Sequence, residues 1–239
     1  MTTIPIGGPQ VPGGPDGHSY AGLFVNGERD ALLGLLTQRR FSGWVGPQED
    51  DWVLVVAEQA TGVVAGGGTA LTTLGVEVAQ ALGTVVIAAR VDRDRVLRLD
   101  GWDARDDDGH DDPEPLGSYL SDPTVEAPDD EDLWPEPVGA EFAPRYAEAC
   151  GVPDAADEVT EVLAEELDAE SVLESERLDS VLRLLGLPRW LISATSLPRD
   201  VPAGPRRSEL AWLGAGREGV PGRVVGAVSR VLRKRRRPL

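Results

Sequence analysis

Residues 69–89, TALTTLGVEVAQALGTVVIAA, contain the two kinds of element that decide the fold. Residues 69–82 follow three consecutive glycines at 66–68 and carry apolar side chains at helical spacing, which predicts a helix. The run Thr84–Ala89 is apolar throughout, which is typical of a buried strand. A helix followed at once by a buried strand indicates a mixed fold.

Upstream and downstream of this stretch the same alternation continues. The pattern predicts strands at Ala21–Val25, Trp52–Val56 and Arg95–Leu99, and in the last of these Leu97 and Leu99 should point inward. It also predicts a helix at Glu28–Arg40, capped by Asn26 or Gly27. The residues that share one face of this helix are Leu32, Leu35, Leu36 and Arg39. Gly46-Pro47 predicts a turn before Trp52. Residues 100–132 carry 14 acids and one base, so we expect a solvated loop, broken by a short strand near Leu116–Leu120.

The second half of the sequence is mostly helical in pattern. Helices are predicted at Glu141–Cys150, ended by Gly151, and at Asp157–Leu167. A third helix is predicted to begin after Ser171, which forms a capping-box pattern with Glu174. This helix should bury Leu178, Val181, Leu182 and Leu185, and it should end at Gly186 and Pro188. Trp190–Ser196 is predicted to be the last strand.

These elements predict an α+β fold, with a small mixed or antiparallel sheet flanked by helices, a helical second half and a basic C-terminal tail. Residues 1–18 are interpreted as an irregular Gly/Pro leader and residues 19–200 as one α+β domain that carries the acidic loop 100–132. Residues 201–239 are interpreted as a Pro/Gly linker followed by a basic amphipathic tail.

Charge is divided unevenly along the chain. The 239 residues contain 23 Lys+Arg and 41 Asp+Glu, a net charge of −18. Residues 217–239 hold eight bases and one acid, which leaves 15 bases and 40 acids before them. This division suggests an acidic body with a basic segment that faces an anionic surface or partner.

Cysteine content and hydropathy indicate the compartment in which the protein is expected. Cys150 is the one cysteine, so neither an intrachain disulfide nor a cysteine-based zinc cluster is available, and a reducing compartment is expected. The N-terminus shows no signal peptide, and no apolar run approaches the ~18 residues of a membrane span. We therefore expect a cytoplasmic protein.

Catalytic signals are sparse, and no catalytic, cofactor-binding or metal-binding residue is assigned. His18 and His110 fall in Gly- or Asp-rich stretches with no nucleophile nearby, and Cys150 precedes a helix-ending glycine. The glycines at 66–68 offer N–H groups to a phosphate, but residues 1–233 lack the lysine that a P-loop needs. No cofactor and no small-molecule substrate are expected. An enzyme with a carboxylate-only site stays open as an alternative.

The acidic loop also mimics part of a calcium site. Asp106, Asp108 and Gly109 match the third, fifth and sixth positions of an EF-hand loop, but the first would be Ala104 and the twelfth Pro115. The loop is instead interpreted as solvated, with an acidic interface as a second hypothesis. The interface residues would be Trp102, Asp106, Asp107, Asp108, Asp111 and Asp112.

The C-terminal segment has valines at helical spacing and a basic run, which is typical of an amphipathic basic helix that a surface orders. The predicted partner-binding residues are Val224, Val225, Val228, Arg230, Val231, Leu232, Arg233, Lys234, Arg235, Arg236 and Arg237. A protein groove is the expected partner. An anionic membrane surface and nucleic acid are alternatives, as is a loose contact with the chain's own acidic loop.

Three blocks carry a family resemblance: residues 41–47 (FSGWVGP), residues 118–123 (SYLSDP) and residues 184–188 (LLGLP). In these blocks the chain resembles uncharacterised bacterial, mainly actinobacterial, α+β proteins. The resemblance implies that fold over about residues 20–200 and implies no activity.

The expected function is that of a non-enzymatic interaction protein, an accessory subunit of a bacterial assembly that docks through its basic C-terminal segment. The alternative is an acidic immunity or DNA-mimic protein that masks a basic partner.

Overall fold

The computed structural model describes residues 18–105, 112–125, 136–166 and 173–218. Its strands are β1 (Tyr20–Asn26), β2 (Gly43–Glu49), β3 (Trp52–Ala57), β4 (Val85–Asp92), β5 (Val96–Asp103), β6 (Glu114–Leu120), β7 (Ala211–Gly214) and β8 (Arg217–Glu218). Its α-helices are α1 (Arg29–Gln38), α2 (Leu71–Leu82), α3 (Ala143–Ala149), α4 (Ala156–Ala164) and α5 (Glu174–Leu184). Short 3₁₀ helices span Gly66–Gly68, Pro123–Val125, Ala140–Phe142, Pro153–Ala155 and Arg189–Ser196. No helix within these ranges has the length and apolar character needed to cross a membrane.

The eight strands form one sheet in the order β6-β5-β4-β1-β3-β2-β7-β8, and every neighbouring pair is antiparallel. The α+β class is therefore confirmed, with a larger sheet than expected. Strands β1, β3 and β4 lie near its centre, and almost all of their side chains are buried.

Both faces of the sheet are apolar because successive side chains of a strand point to opposite sides. Leu23 of β1, Val55 of β3 and Val86 of β4 pack against α1 and α2, which cover the side that we call the α1/α2 face. Phe24 and Ile87, the adjacent residues, pack on the opposite side, beneath α3, α4, α5 and the 3₁₀ helix Arg189–Ser196. We call this second side the α3–α5 face.

Two local predictions are wrong, and packing explains both. Gly46-Pro47 is not a turn: it lies inside β2, where the pairing with β3 shifts between Val45 and Gln48, and such an irregularity tolerates proline. Trp190–Ser196 is not a strand but part of a 3₁₀ helix, whose buried residues Trp190, Leu191 and Ala194 follow helical spacing.

Helix ends and the C-terminal region also differ from expectation. The N-cap of α1 is Glu28 rather than Asn26 or Gly27, and the expected linker after residue 200 contains β7 and β8. Helix α5 has Leu173 as N-cap, so the capping box does not form as predicted; Ser171 itself lies outside the described residues. Instead the Ser175 amide donates to Asp94 Oδ1 of the β4–β5 turn at 2.8 Å. A tertiary contact thus replaces the local cap.

Arg177 of α5 joins three elements on the α3–α5 face. Its guanidinium donates to the Tyr119 hydroxyl of β6 and to the Leu163 and Glu165 carbonyl oxygens at the end of α4, at 3.1 and 2.5 Å for the carbonyls. Its Nε lies 3.4 Å from Glu174 Oε2, and both side chains are almost fully buried. Burial raises the pKa of Glu174, and Arg177 opposes that shift. The cation therefore satisfies carbonyls that α4 cannot pair internally.

We expect Arg177→Met to lower the free energy of unfolding by about 3 kcal/mol. The substitution removes a hydrogen-bond donor of the Leu163 and Glu165 carbonyl oxygens and the cation beside the buried Glu174 carboxyl. Urea denaturation measures this change. Arg183→Met, at an exposed position of the same helix, should change it by less than about 0.5 kcal/mol. Equal effects of the two substitutions would contradict the role given to Arg177.

Two helical glycines should respond to alanine in opposite directions. A Cβ at Gly34 of α1 has nothing within 4 Å, so Gly34→Ala should stabilise by about 0.5–1 kcal/mol. A Cβ at Gly75 of α2 would lie 2.4 Å from Cζ3 of Trp102, so Gly75→Ala should destabilise by about 1–3 kcal/mol. The two unfolding free energies test this packing, and a stabilising Gly75→Ala would refute it.

Candidate functional site

Most residues of the two predicted interfaces lie outside the described part of the chain. This holds for all the predicted partner-binding residues between positions 224 and 237, and for Asp106, Asp107, Asp108 and Asp111. Asp112 is described and exposed. Trp102 is half-buried and packs on α2 within the α1/α2 core, so its contacts are those of a core anchor.

The residues with catalytic chemistry are not brought together. His18 is exposed, and its carbonyl accepts from the Asp94 amide. The Gly66 amide donates to the Arg39 carbonyl, and Thr69 Oγ1 donates back to the Gly66 carbonyl, so this glycine loop is tied to the C-terminal end of α1. Among the described residues, no group of three His, Cys, Asp or Glu side chains is arranged to hold a metal ion.

Cys150 ends α3 in a half-buried position before Gly151, which adopts a left-handed φ of 76°. Burial raises the pKa of its thiol to about 12, although the positive charge of Arg105 acts in the opposite direction. A thiol in this state is a poor nucleophile at neutral pH.

We therefore expect iodoacetamide at pH 8 to alkylate the folded chain at least about a hundredfold more slowly than the denatured chain, whose thiol has a pKa near ~8.5. The raised pKa lowers the thiolate fraction at that pH. Because the sequence holds one cysteine, mass spectrometry reads the rate directly. Equal rates in the two states would contradict the buried environment of Cys150.

The outer side of α3, α4 and the adjoining 3₁₀ turns is strongly acidic, and we call it the acidic α3–α4 surface. Its exposed carboxylates are Glu141, Glu148, Asp154, Asp157, Glu158, Glu161, Glu165 and Glu166. Arg145 is the one basic residue within residues 140–166, and its guanidinium stacks on Phe142 at 5.8 Å. This surface therefore carries a large negative excess on rigid helices.

A cavity of about 570 Å³ opens on the α3–α5 face where β1 starts and β3 ends. The 3₁₀ helix Arg189–Ser196 and the following Leu197 and Pro198 form one side. The full lining is Ser19, Tyr20, Trp44, Val56, Ala57, Glu58, Ala60, Ala194, Thr195, Leu197, Pro198 and Trp212. Glu58 contributes the one carboxylate of this lining.

Two tryptophans form the aromatic wall of the cavity. Trp44 of β2 and Trp212 of β7 face each other across the strand pair, with ring centroids 4.7 Å apart and planes tilted by 52°. The guanidinium of Arg207 lies over the Trp44 ring, 4.4 Å from its centroid. The wall thus already binds one guanidinium by a cation–π contact.

Tyr20 adds a third ring with a fixed hydroxyl. Its oxygen lies 2.7 Å from Ser175 Oγ, which itself contacts the Asp94 carboxylate. Burial raises the pKa of Tyr20 well above its usual value, so this phenol stays neutral. The cavity therefore combines neutral aromatic surfaces with one acidic group.

A smaller cavity of about 190 Å³ lies on the α1/α2 face beside the start of α2. It contains Asp100, which accepts from Arg98 at 2.9 Å and from Ser118 Oγ at 2.7 Å. Neither cavity brings two carboxylates together.

Sequence reasoning missed the residues of the larger cavity. Trp44 belongs to the FSGWVGP block, but nothing in the sequence pairs it with Trp212, 168 positions later. The available signal was a tryptophan within Ala211–Gly214, a short apolar run in the expected linker.

No protein-family model, curated protein or solved structure matches this chain. The resemblance carried by the three sequence blocks therefore stays a prediction, and function must be argued from the geometry alone.

Proposed function

We propose that this protein is a non-enzymatic interaction protein that binds a basic protein partner through the acidic α3–α4 surface. The observation that carries the proposal is the charge of this surface: eight exposed carboxylates and one guanidinium on two packed helices and their adjoining turns. Such a surface attracts a cationic partner over long range and rejects anionic ones.

A rigid acidic surface suits the masking of a basic protein. The backbone of α3 and α4 is held by buried side chains such as Tyr146 and Leu163, so binding orders the carboxylate side chains without having to order the backbone that carries them. A nucleic-acid-binding protein or a toxin has the positive surface that would fit, which corresponds to an immunity or DNA-mimic role.

The basic segment 217–239 supports a second candidate, an accessory subunit that docks this segment on its assembly. The supporting observation is the local reversal of charge, with eight bases and one acid in a chain of net charge −18. An enzymatic role has less support, since each described cavity holds a single carboxylate.

Neutralising the surface should remove the partner. We expect the triple variant Asp157→Asn, Glu158→Gln, Glu161→Gln to bind its basic partner at least about tenfold more weakly at low salt, because charged rim contacts are lost. The matched control is Glu28→Gln, Asp30→Asn, Asp51→Asn, which removes three exposed acids on or near α1. Affinity purification from a bacterial lysate with mass spectrometry, followed by titration of the purified partner, measures both.

A third chain, ending at Glu218 so that β8 is kept, separates the two candidates. If this chain keeps the partner while the α4 variant loses it, the acidic α3–α4 surface is the interface. If truncation alone removes the partner, the basic segment docks the protein and the first proposal fails. Absence of any stoichiometric partner in all four purifications would refute both.

A further inference from the structure

The described chain ends beside the aromatic wall of the larger cavity. In the antiparallel pair of β7 and β8, Glu218 lies opposite Leu213, the neighbour of Trp212. Trp212 lines the cavity, so Glu218, the last described residue, lies close to the cavity wall, and residues 219–239 follow it in the sequence. They number 21 and contain seven Arg or Lys residues and no acid.

The chemistry of the cavity fits a guanidinium group. The aromatic side chains of Trp44, Trp212 and Tyr20 line the cavity together with the carboxylate of Glu58. Aromatic rings with a nearby carboxylate bind organic cations, and a planar guanidinium stacks on tryptophan better than an ammonium does. Arg207 already shows this contact on Trp44, and it has no ion pair within the described part of the chain.

Trp212 indicates that the ligand is a peptide rather than a free cation. Its indole Nε1 is buried and donates to no acceptor among the described residues. A guanidinium has only donors, whereas a peptide also brings carbonyl oxygens that accept from an indole N–H. A basic peptide therefore brings a guanidinium for the aromatic lining together with a carbonyl acceptor for the Trp212 indole.

We propose that this cavity binds an arginine side chain of the chain's own C-terminal segment, residues 219–239. Arg223 is five residues beyond Glu218, a reach of up to about 17 Å, and the later arginines reach farther. Covalent attachment gives the segment a local concentration of roughly millimolar, which a separate basic protein would have to exceed. The proposal concerns a different surface from the acidic α3–α4 surface and stands or falls independently of it.

The test uses the full-length chain and the indole ¹H–¹⁵N signals of its tryptophans, assigned by Trp→Phe exchanges. A variant with all seven basic residues of the segment changed to Gln keeps the chain length. We expect the Trp44 and Trp212 signals to move in this variant, while those of Trp52 and Trp190 stay and report an intact fold. Added synthetic peptide 219–239 should return the first two signals to their original positions with saturation.

Two substitutions in the seven-Gln chain test the site itself. Glu58→Gln should weaken peptide binding at least about tenfold, whereas Glu161→Gln, which removes the same charge from the acidic α3–α4 surface, should change it less than about twofold. Thr195→Phe narrows the cavity from an exposed lining position and should also weaken binding at least about tenfold.

Several results would overturn the proposal. Identical Trp44 and Trp212 signals in the parent and seven-Gln chains would do so, as would equal weakening by Glu58→Gln and Glu161→Gln, which would indicate diffuse electrostatic attraction. A shift of the parent signals on dilution would assign the bound segment to a second copy, and saturable binding of the peptide by the parent chain would show that its own segment leaves the cavity open.

Discussion

The structure depends on a sheet that is apolar on both faces. Neighbouring residues such as Leu23 and Phe24 are both fully buried although they point in opposite directions, so each face must be covered by a separate layer. Helices α1 and α2 provide one layer, and the second half of the chain provides the other. An antiparallel sheet is more commonly solvated on one side, and here the helical second half prevents that.

Close approach of the second layer requires particular residues in the strands. A Cβ on Gly22 would lie 3.0 Å from Leu191 Cδ1, and one on Gly46 would lie 2.6 Å from the Trp190 ring. These glycines let the 3₁₀ helix Arg189–Ser196 settle on β1 and β2, and that helix closes one side of the larger cavity. At the other end of the layer, Arg177 links α5 to α4 and β6. The acidic α3–α4 surface and the cavity are thus consequences of one packed layer.

Local patterns predicted the elements whose burial follows a simple period. Leu178, Val181, Leu182 and Leu185 are buried as the helical spacing indicates, and Leu97 and Leu99 are buried as the strand alternation indicates. The predictions failed where a distant contact overrode a local preference. The apolar run at 190–196 has the local pattern of a strand, but it forms a 3₁₀ helix, which places the side chains of Trp190, Leu191 and Ala194 on the same face of the sheet. The N-terminus of α5 is capped by Asp94, about 80 residues earlier, which no local motif can indicate.

The sequence by itself determined the fold class, the alternation of strands and helices, and the separation of an acidic body from a basic C-terminal segment, because composition and periodicity are properties of neighbouring residues. Only the tertiary structure decided that β7 and β8 extend the sheet beyond β2, that Trp44 meets Trp212, and that eight carboxylates lie exposed on α3, α4 and their adjoining turns. These features depend on strand pairing and layer packing between residues far apart in the chain. A site built from such contacts is visible only after the chain has folded, since its geometry is set by the register of the sheet.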